Sequence, residues 1–251
     1  MRRSRVGHFT ESDDVAEVAQ KNRMNFVVFS ALIPILWMLI VIVAASKGGG
    51  FGQWVLNAET GLQETVTGLL ALAAAIVALV AFFHPTIRQD WKTRTWLSLF
   101  AVAAIFFAGE DLNWGQYYFG WTAPEFFQAH NREHETNLHN MSSWFNQKPR
   151  LVAELWLLIA GILVPLGWKL PQRLTARFLP GMFWPDNRLT VAASLAAVAK
   201  LNSTLVKQAG VGLLAEIRWS EVVEFFLAYA MLLYTLMLLA RIAAIPRNEF
   251  E

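Results

Sequence analysis

The chain has 251 residues, of which 55% are hydrophobic and 16% charged, with a formal net charge of +2. A soluble domain of this size carries about 25% charged residues, and so small a charge, split among separate loops, excludes nucleic acid as a partner. The absence of cysteine excludes disulfides, thiolate metal sites, a cysteine nucleophile and a lipoprotein anchor.

Residues 1–25 mix basic and acidic side chains and contain no apolar run, so they read as a cytoplasmic N-terminal segment. The first apolar run, Phe26–Ser46, is longer than the roughly 7–15 residues of a signal-peptide core and reads as a retained helix. Five further runs follow: Leu62–Phe83, Thr95 to about Gln116, Leu151–Trp168, Leu189–Val206 and Val222–Ala243. Each is about the length that crosses a bilayer. The run at 189–206 carries Lys200, Asn202 and Ser203, and an amphipathic interfacial helix is its alternative. The pattern predicts an all-α, polytopic transmembrane helix bundle, one domain over residues 26–245 with a cytoplasmic tail at 246–251.

Lys and Arg accumulate in the cytoplasmic loops of membrane proteins. With a cytoplasmic N-terminus and six crossings, the cytoplasmic parts hold fourteen basic residues and the outer loops six. The expected topology is therefore N-in, C-in, in the cell inner (cytoplasmic) membrane. Membrane lipids are the expected partners, and protein partners are not legible. Tryptophans near span ends (Trp91, Trp96, Trp114, Trp168, Trp184, Trp219) fit interfacial belts.

The polar residues gather on the outer side. The third apolar run, Thr95–Gly109, is only 15 residues long, so crossing draws Glu110, Asp111 and Asn113 into the outer leaflet, where ionisable groups are costly. If the helix continues, Glu110, Asn113 and Tyr117 share a face. Thr122-Ala-Pro-Glu125 has the pattern of a capping box and starts a predicted outer interfacial helix over about 123–145. On it, His130 and His134 share one stripe, and Asn131, Glu135 and His139 form the next. Arg218, Glu221 and Glu224 are spaced three apart at the start of the last span, while Glu154 and Lys200 sit at similar depth.

Gly109-Glu-Asp-Leu-Asn-Trp-Gly-Gln116, followed by Asn131-x3-Glu135-x2-Leu-His-Asn140, resembles an uncharacterised family of bacterial polytopic membrane proteins. The pattern of that family reads approximately GEE-x-x-WGQ and then N-x-Q-x-E-x-x-L-H-N. This chain departs from it in Asp111 and Glu133. The resemblance implies a site rather than a reaction. His134 to His139 is also loosely similar to a Glu/Asn/His segment of seven-helix hydrolases, whose paired histidines on a late helix have no counterpart in 222–243.

Three acidic clusters at matched depth predict one polar cavity. Carboxylates plus imidazole form a ligand set suited to a divalent metal such as Zn, Mn or Fe, with Glu110, Glu135 and His139 as metal ligands. Glu110, Glu135, Glu221 and Glu224 are the candidate catalytic carboxylates, supported by Asp111, Asn113, Gln116, Asn131, Asn140, Lys200 and Arg218. The expected function is an extracytoplasmic carboxylate/histidine site, a metal-dependent enzyme acting on a lipid or lipid-linked substrate. The alternatives are a non-catalytic scaffold or subunit and a proton- or cation-coupled transporter.

Overall fold

The computed structural model describes residues 27–57, 60–131, 134–138, 141–169, 173–174, 181–210 and 217–245, and among these all regular structure is helical. α1 is Ile33–Lys47, entered through a π turn at Val28–Leu32. It is followed by α2 (Gly49–Leu56), α3 (Leu62–Phe82), α4 (Trp91–Asp111), α5 (Gln116–Phe119) and α6 (Glu125–His130). The last three are α7 (Ser143–Leu158, extended by a π turn at Ile159–Leu163), α8 (Thr190–Ala209) and α9 (Trp219–Ala243).

α9 is the axis of the bundle: 78% of its apolar window is buried, against 39% for α3 and 28% for the first helix. It is apolar nearly all round, as a fully enclosed helix must be. Around it, small residues bring backbones close, which is how helices associate without a hydrophobic drive between them. Ala71, Ala108 and Ala228 form one buried layer, and Ala74, Ala75, Ala104 and Met231 the next. Moving from the first layer to the second, the numbering rises in α3 and α9 and falls in α4. The first two helices therefore run parallel and α4 runs against them. On the other side α7 runs antiparallel to α8: Glu154 meets Lys200 near one end, and Gly161 meets Ala193 toward the other. A Cβ on Gly161 would lie 2.5 Å from the Ala193 Cβ, so only glycine allows this approach. α1 is antiparallel to α9, with Trp37 stacked on Phe225 at 4.4 Å and the Tyr229 hydroxyl donating to Phe29 O at 2.5 Å.

Among the described residues four helices are long and apolar enough to cross a membrane: Val28–Lys47, Leu62–Phe82, Gly181–Ala209 and Trp219–Ala243. A fifth is counted if Trp91–Asp111 and Asn113–Phe119, bent by 66°, form one broken span. The expected span Leu151–Trp168 is not among them. Its helix turns out of register after Leu163, with Gly167 at φ 97, and its first half carries Arg150 and Glu154. The run at 189–206, with its three polar residues, is helical throughout and qualifies.

Two expectations about local structure are overturned. α4 does not continue to Gln116. Asn113, Trp114 and Gly115 take φ of 49°, 52° and 89°, a left-handed run that glycine takes freely and asparagine more readily than most residues. Glu110, Asn113 and Tyr117 thus do not share a helical face. The outer helix over 123–145 is also broken. α6 covers only Glu125–His130, Pro124 occupies the N-cap position without a side-chain cap, and the chain is extended at Asn131 (ψ 130). The side chain of Asn131 explains the stop, because its Oδ1 accepts the Glu135 amide and its Nδ2 binds Asn137. Asparagine competing for backbone in this way ends helices. The stripes expected of His130, His134, Asn131 and Glu135 therefore do not exist. The tryptophan belt is partial: Trp91 is exposed, whereas Trp219 is buried and Trp96 donates inward to Tyr234 at 2.9 Å.

Candidate functional site

The polar residues meet at the end of the bundle where α4 stops and α3 and α9 begin. They form two adjacent arrangements rather than one cavity.

The first is a clasp between the α4 terminus and residues 131–138. Trp114 folds back so that its ring covers Gly109, where a Cβ would lie 2.6 Å from the indole. Its Nε1 donates to Glu110 Oε1 at 2.9 Å, and Glu110 Oε2 accepts the Leu138 amide at 2.7 Å. Glu135 accepts from the Tyr117 hydroxyl and from Asn137 Nδ2, both at 2.7 Å. Asn137 also donates to Asn113 Oδ1, while Asn131 Nδ2 donates to Asn137 Oδ1 at 2.8 Å. Gln116 Oε1 takes the Thr136 amide and hydroxyl at 2.6 and 2.7 Å. Glu110, Asn113, Asn131, Glu135 and Asn137 are all buried, and each is tied to a neighbour, as buried polar groups must be. The residues of the two sequence motifs therefore converge, and what they do is hold a loop. Both oxygens of Glu110 and of Glu135 accept neutral donors. Among the described residues no three His, Asp or Glu side chains are placed to hold a metal ion. His139 and Asn140 lie outside the described residues. His134, at φ 57, is exposed and its ring Nδ1 pairs with Gln128 O at 2.8 Å.

The second arrangement is a carboxylate cluster on α3, α4 and α9. Depth can be counted from the alanine layer. Glu64 and Glu221 each lie seven residues outward of Ala71 and Ala228, roughly 10 Å at about 1.5 Å per residue. Asp111 lies three residues beyond Ala108 and Glu224 four before Ala228, roughly 4–6 Å outward. An inner tier, Asp111 and Glu224, thus sits below an outer tier, Glu64 and Glu221. Asp111 interacts electrostatically with Glu221 and Glu224, and Glu64 with all three. The hairpin of α3 and α4 is fixed here by Leu112 packed on Gly68 and by a Thr65–Tyr118 hydroxyl bond of 2.8 Å.

Two cations, Arg150 and Arg218, pair with this cluster, and a third, Lys200, joins it through Glu154. Arg150 Nε binds Glu154 at 2.9 Å, one terminal nitrogen binds Glu224 at 2.6 Å and the other binds Ser220 O at 2.9 Å. Lys200 reaches Glu154 at 2.8 Å, and Arg218 lies 2.5 Å from Glu221, close enough to pair charge though not aligned for a hydrogen bond. Lys200 is thus a partner of α7 rather than a residue simply turned outward. Glu64 and Asp111 have no ion pair among the described residues, and Asp111 Oδ2 is buried without a hydrogen-bond partner. Glu64 and Glu221 stand in first turns, where the helix dipole favours a carboxylate, and Glu224 one turn further in; Asp111 stands at a helix C-terminus, where the dipole opposes it.

The sequence reading missed Glu64. Its signal was present, an acid at the outer end of the second span, but a charge at a helix start reads as ordinary capping. No family model, no curated protein and no solved structure matches this chain.

Proposed function

We propose that the chain is a six-pass membrane protein with both termini cytoplasmic, working through the two-tier carboxylate cluster at its outer end. α1, α3, α4, α7, α8 and α9 alternate in direction. Arg88, Lys92, Arg94, Arg188 and Arg241 lie at the opposite end, where positive charge marks the cytoplasm. That orientation puts Glu64, Asp111, Glu221 and Glu224 on the outer leaflet, within reach of a lipid or lipid-linked substrate.

The observation that carries this reading is Asp111: buried, at the unfavourable end of its helix, with an oxygen that nothing in the described structure satisfies. A buried polar atom left unsatisfied costs about 1–3 kcal/mol, and a catalytic role is one of the few reasons a fold keeps one. The chemistry fitting four carboxylates at two depths, two of them balanced by Arg150 and Arg218, is general acid–base catalysis. Asp111 faces the reacting group, with Glu64 across from it. The motif residues that resemble the bacterial family support this site indirectly, by fixing the loop beside it.

A scaffold role is favoured for Glu110 and Glu135, whose oxygens are consumed by the clasp. A proton or cation relay is disfavoured, since the acids near the other end, Asp90 and Asp186, are bound locally to Thr93 and Arg241. Between the ends, α9 is apolar apart from Tyr229, Tyr234 and Thr235. The test is reaction of the protein in proteoliposomes with a membrane-soluble carbodiimide, read by mass spectrometry. Adducts are expected on Asp111 or Glu64 and not on Glu110 or Glu135. Labelling confined to the clasp carboxylates would overturn the assignment.

A further inference from the structure

From Leu112 to Pro124 the chain carries no charged residue and five aromatic ones, Trp114, Tyr117, Tyr118, Phe119 and Trp121. The stretch leaves α4 at a 66° bend, so as the second limb of a broken candidate span it travels sideways instead of rising along the α4 axis. α5 has two faces. Inward, Gln116 receives Thr136, the Tyr117 hydroxyl binds Glu135, and the Tyr118 hydroxyl binds Thr65. Outward, Phe119 is 78% exposed and Trp121 41%, with their rings stacked at 5.5 Å. Further along, on α6, Phe126 is 56% exposed and stacks on His130 at 4.8 Å.

Tightly bonded on one side and bare aromatic on the other, this strap presents a surface that an aqueous loop would not keep. We infer that residues 116–127 lie in the headgroup region of the outer leaflet, with Phe119, Trp121 and Phe126 inserted among lipids. The occupant follows from continuity: the strap leaves a membrane-crossing helix without a charge between them, and Trp and Tyr are the residues that settle at this interface. A strap at that depth also braces the clasp and the Thr65 side of the carboxylate cluster against the lipid surface. The inference rests on the membrane reading and not on the acid–base assignment.

Because the chain has no cysteine, a single one reports alone. An environment-sensitive fluorophore is attached to Phe119→Cys, or to Trp121→Cys if the first variant does not fold, and the protein is placed in phosphatidylcholine vesicles. Lipids carrying a nitroxide near the headgroup should quench it at least about twofold more than lipids carrying one deep in the acyl chain, as an interfacial position requires. Ile76→Cys, on the exposed face of α3, should show the reverse, and Lys148→Cys should be quenched by aqueous iodide. Iodide quenching at position 119 equal to that at 148 would overturn the inference, as would no quenching by either lipid. The Ile76 result shows separately whether the membrane reading stands.

Discussion

Asn137 is the residue on which the clasp turns, and Asn137→Ala measures what the clasp contributes. Its side chain is fully buried and makes three bonds: Nδ2 to Asn113, Nδ2 to the Glu135 carboxylate, and Oδ1 from Asn131. A neutral bond of this kind contributes about 0.5–1.5 kcal/mol net and one to a charged acceptor about 1.5–3. Their loss together removes roughly 3–5 kcal/mol, less whatever water recovers in the vacated space. For a protein of this size that lowers the unfolding midpoint by about 6–20 °C. The assay is thermal unfolding in detergent, with limited proteolysis between 131 and 142 as a local readout. Asn137→Asp sharpens the test, because it keeps the shape but removes both donors and sets a carboxylate against Glu135, so it should be at least as damaging. A midpoint within about 1 °C of the parent, with unchanged proteolysis, would refute the claim that the motif residues hold the loop.

Asp111→Asn should leave stability unchanged or raise it by about 1 kcal/mol, since the oxygen it alters has no hydrogen-bond partner among the described residues, while abolishing function; complementation of a deletion strain beside a melting curve separates the two effects. Arg150→Met should destabilise by about 2–4 kcal/mol, because it strands Glu224 in a partly buried position and leaves Glu154 with Lys200 alone, and Lys200→Met should cost much less, its side chain being half exposed. Gly161→Ala should cost about 1–3 kcal/mol through the close approach of α7 to α8, and Ala193→Gly in the same chain should restore most of it. Reporter fusions to the C-terminus should be active only in the cytoplasm; extracytoplasmic activity would mean that α7 does not cross and that five passes is the correct count.

Sequence alone was enough for the class of the molecule, because the bilayer imposes a length and an apolarity that no soluble helix needs. Four runs, among them the one carrying Lys200, Asn202 and Ser203, were legible on those grounds, as was the gathering of acids at one end. The Arg150–Glu154 and Arg218–Glu221 contacts are local, since residues three or four apart on a helix meet whatever surrounds them. What tertiary structure decided was which acids share a site. Glu110 and Asp111 are neighbours in the chain, yet about 100° of helical rotation sends one to the loop and the other to α3 and α9. The reach of α4 was likewise not local information: Asn113, where the helix gives way, is held by Asn137, a partner 24 residues on that only folding supplies. Glu64, more than 40 residues from any acid singled out in the sequence, joins them only because Ala71, Ala108 and Ala228 set α3, α4 and α9 at one level.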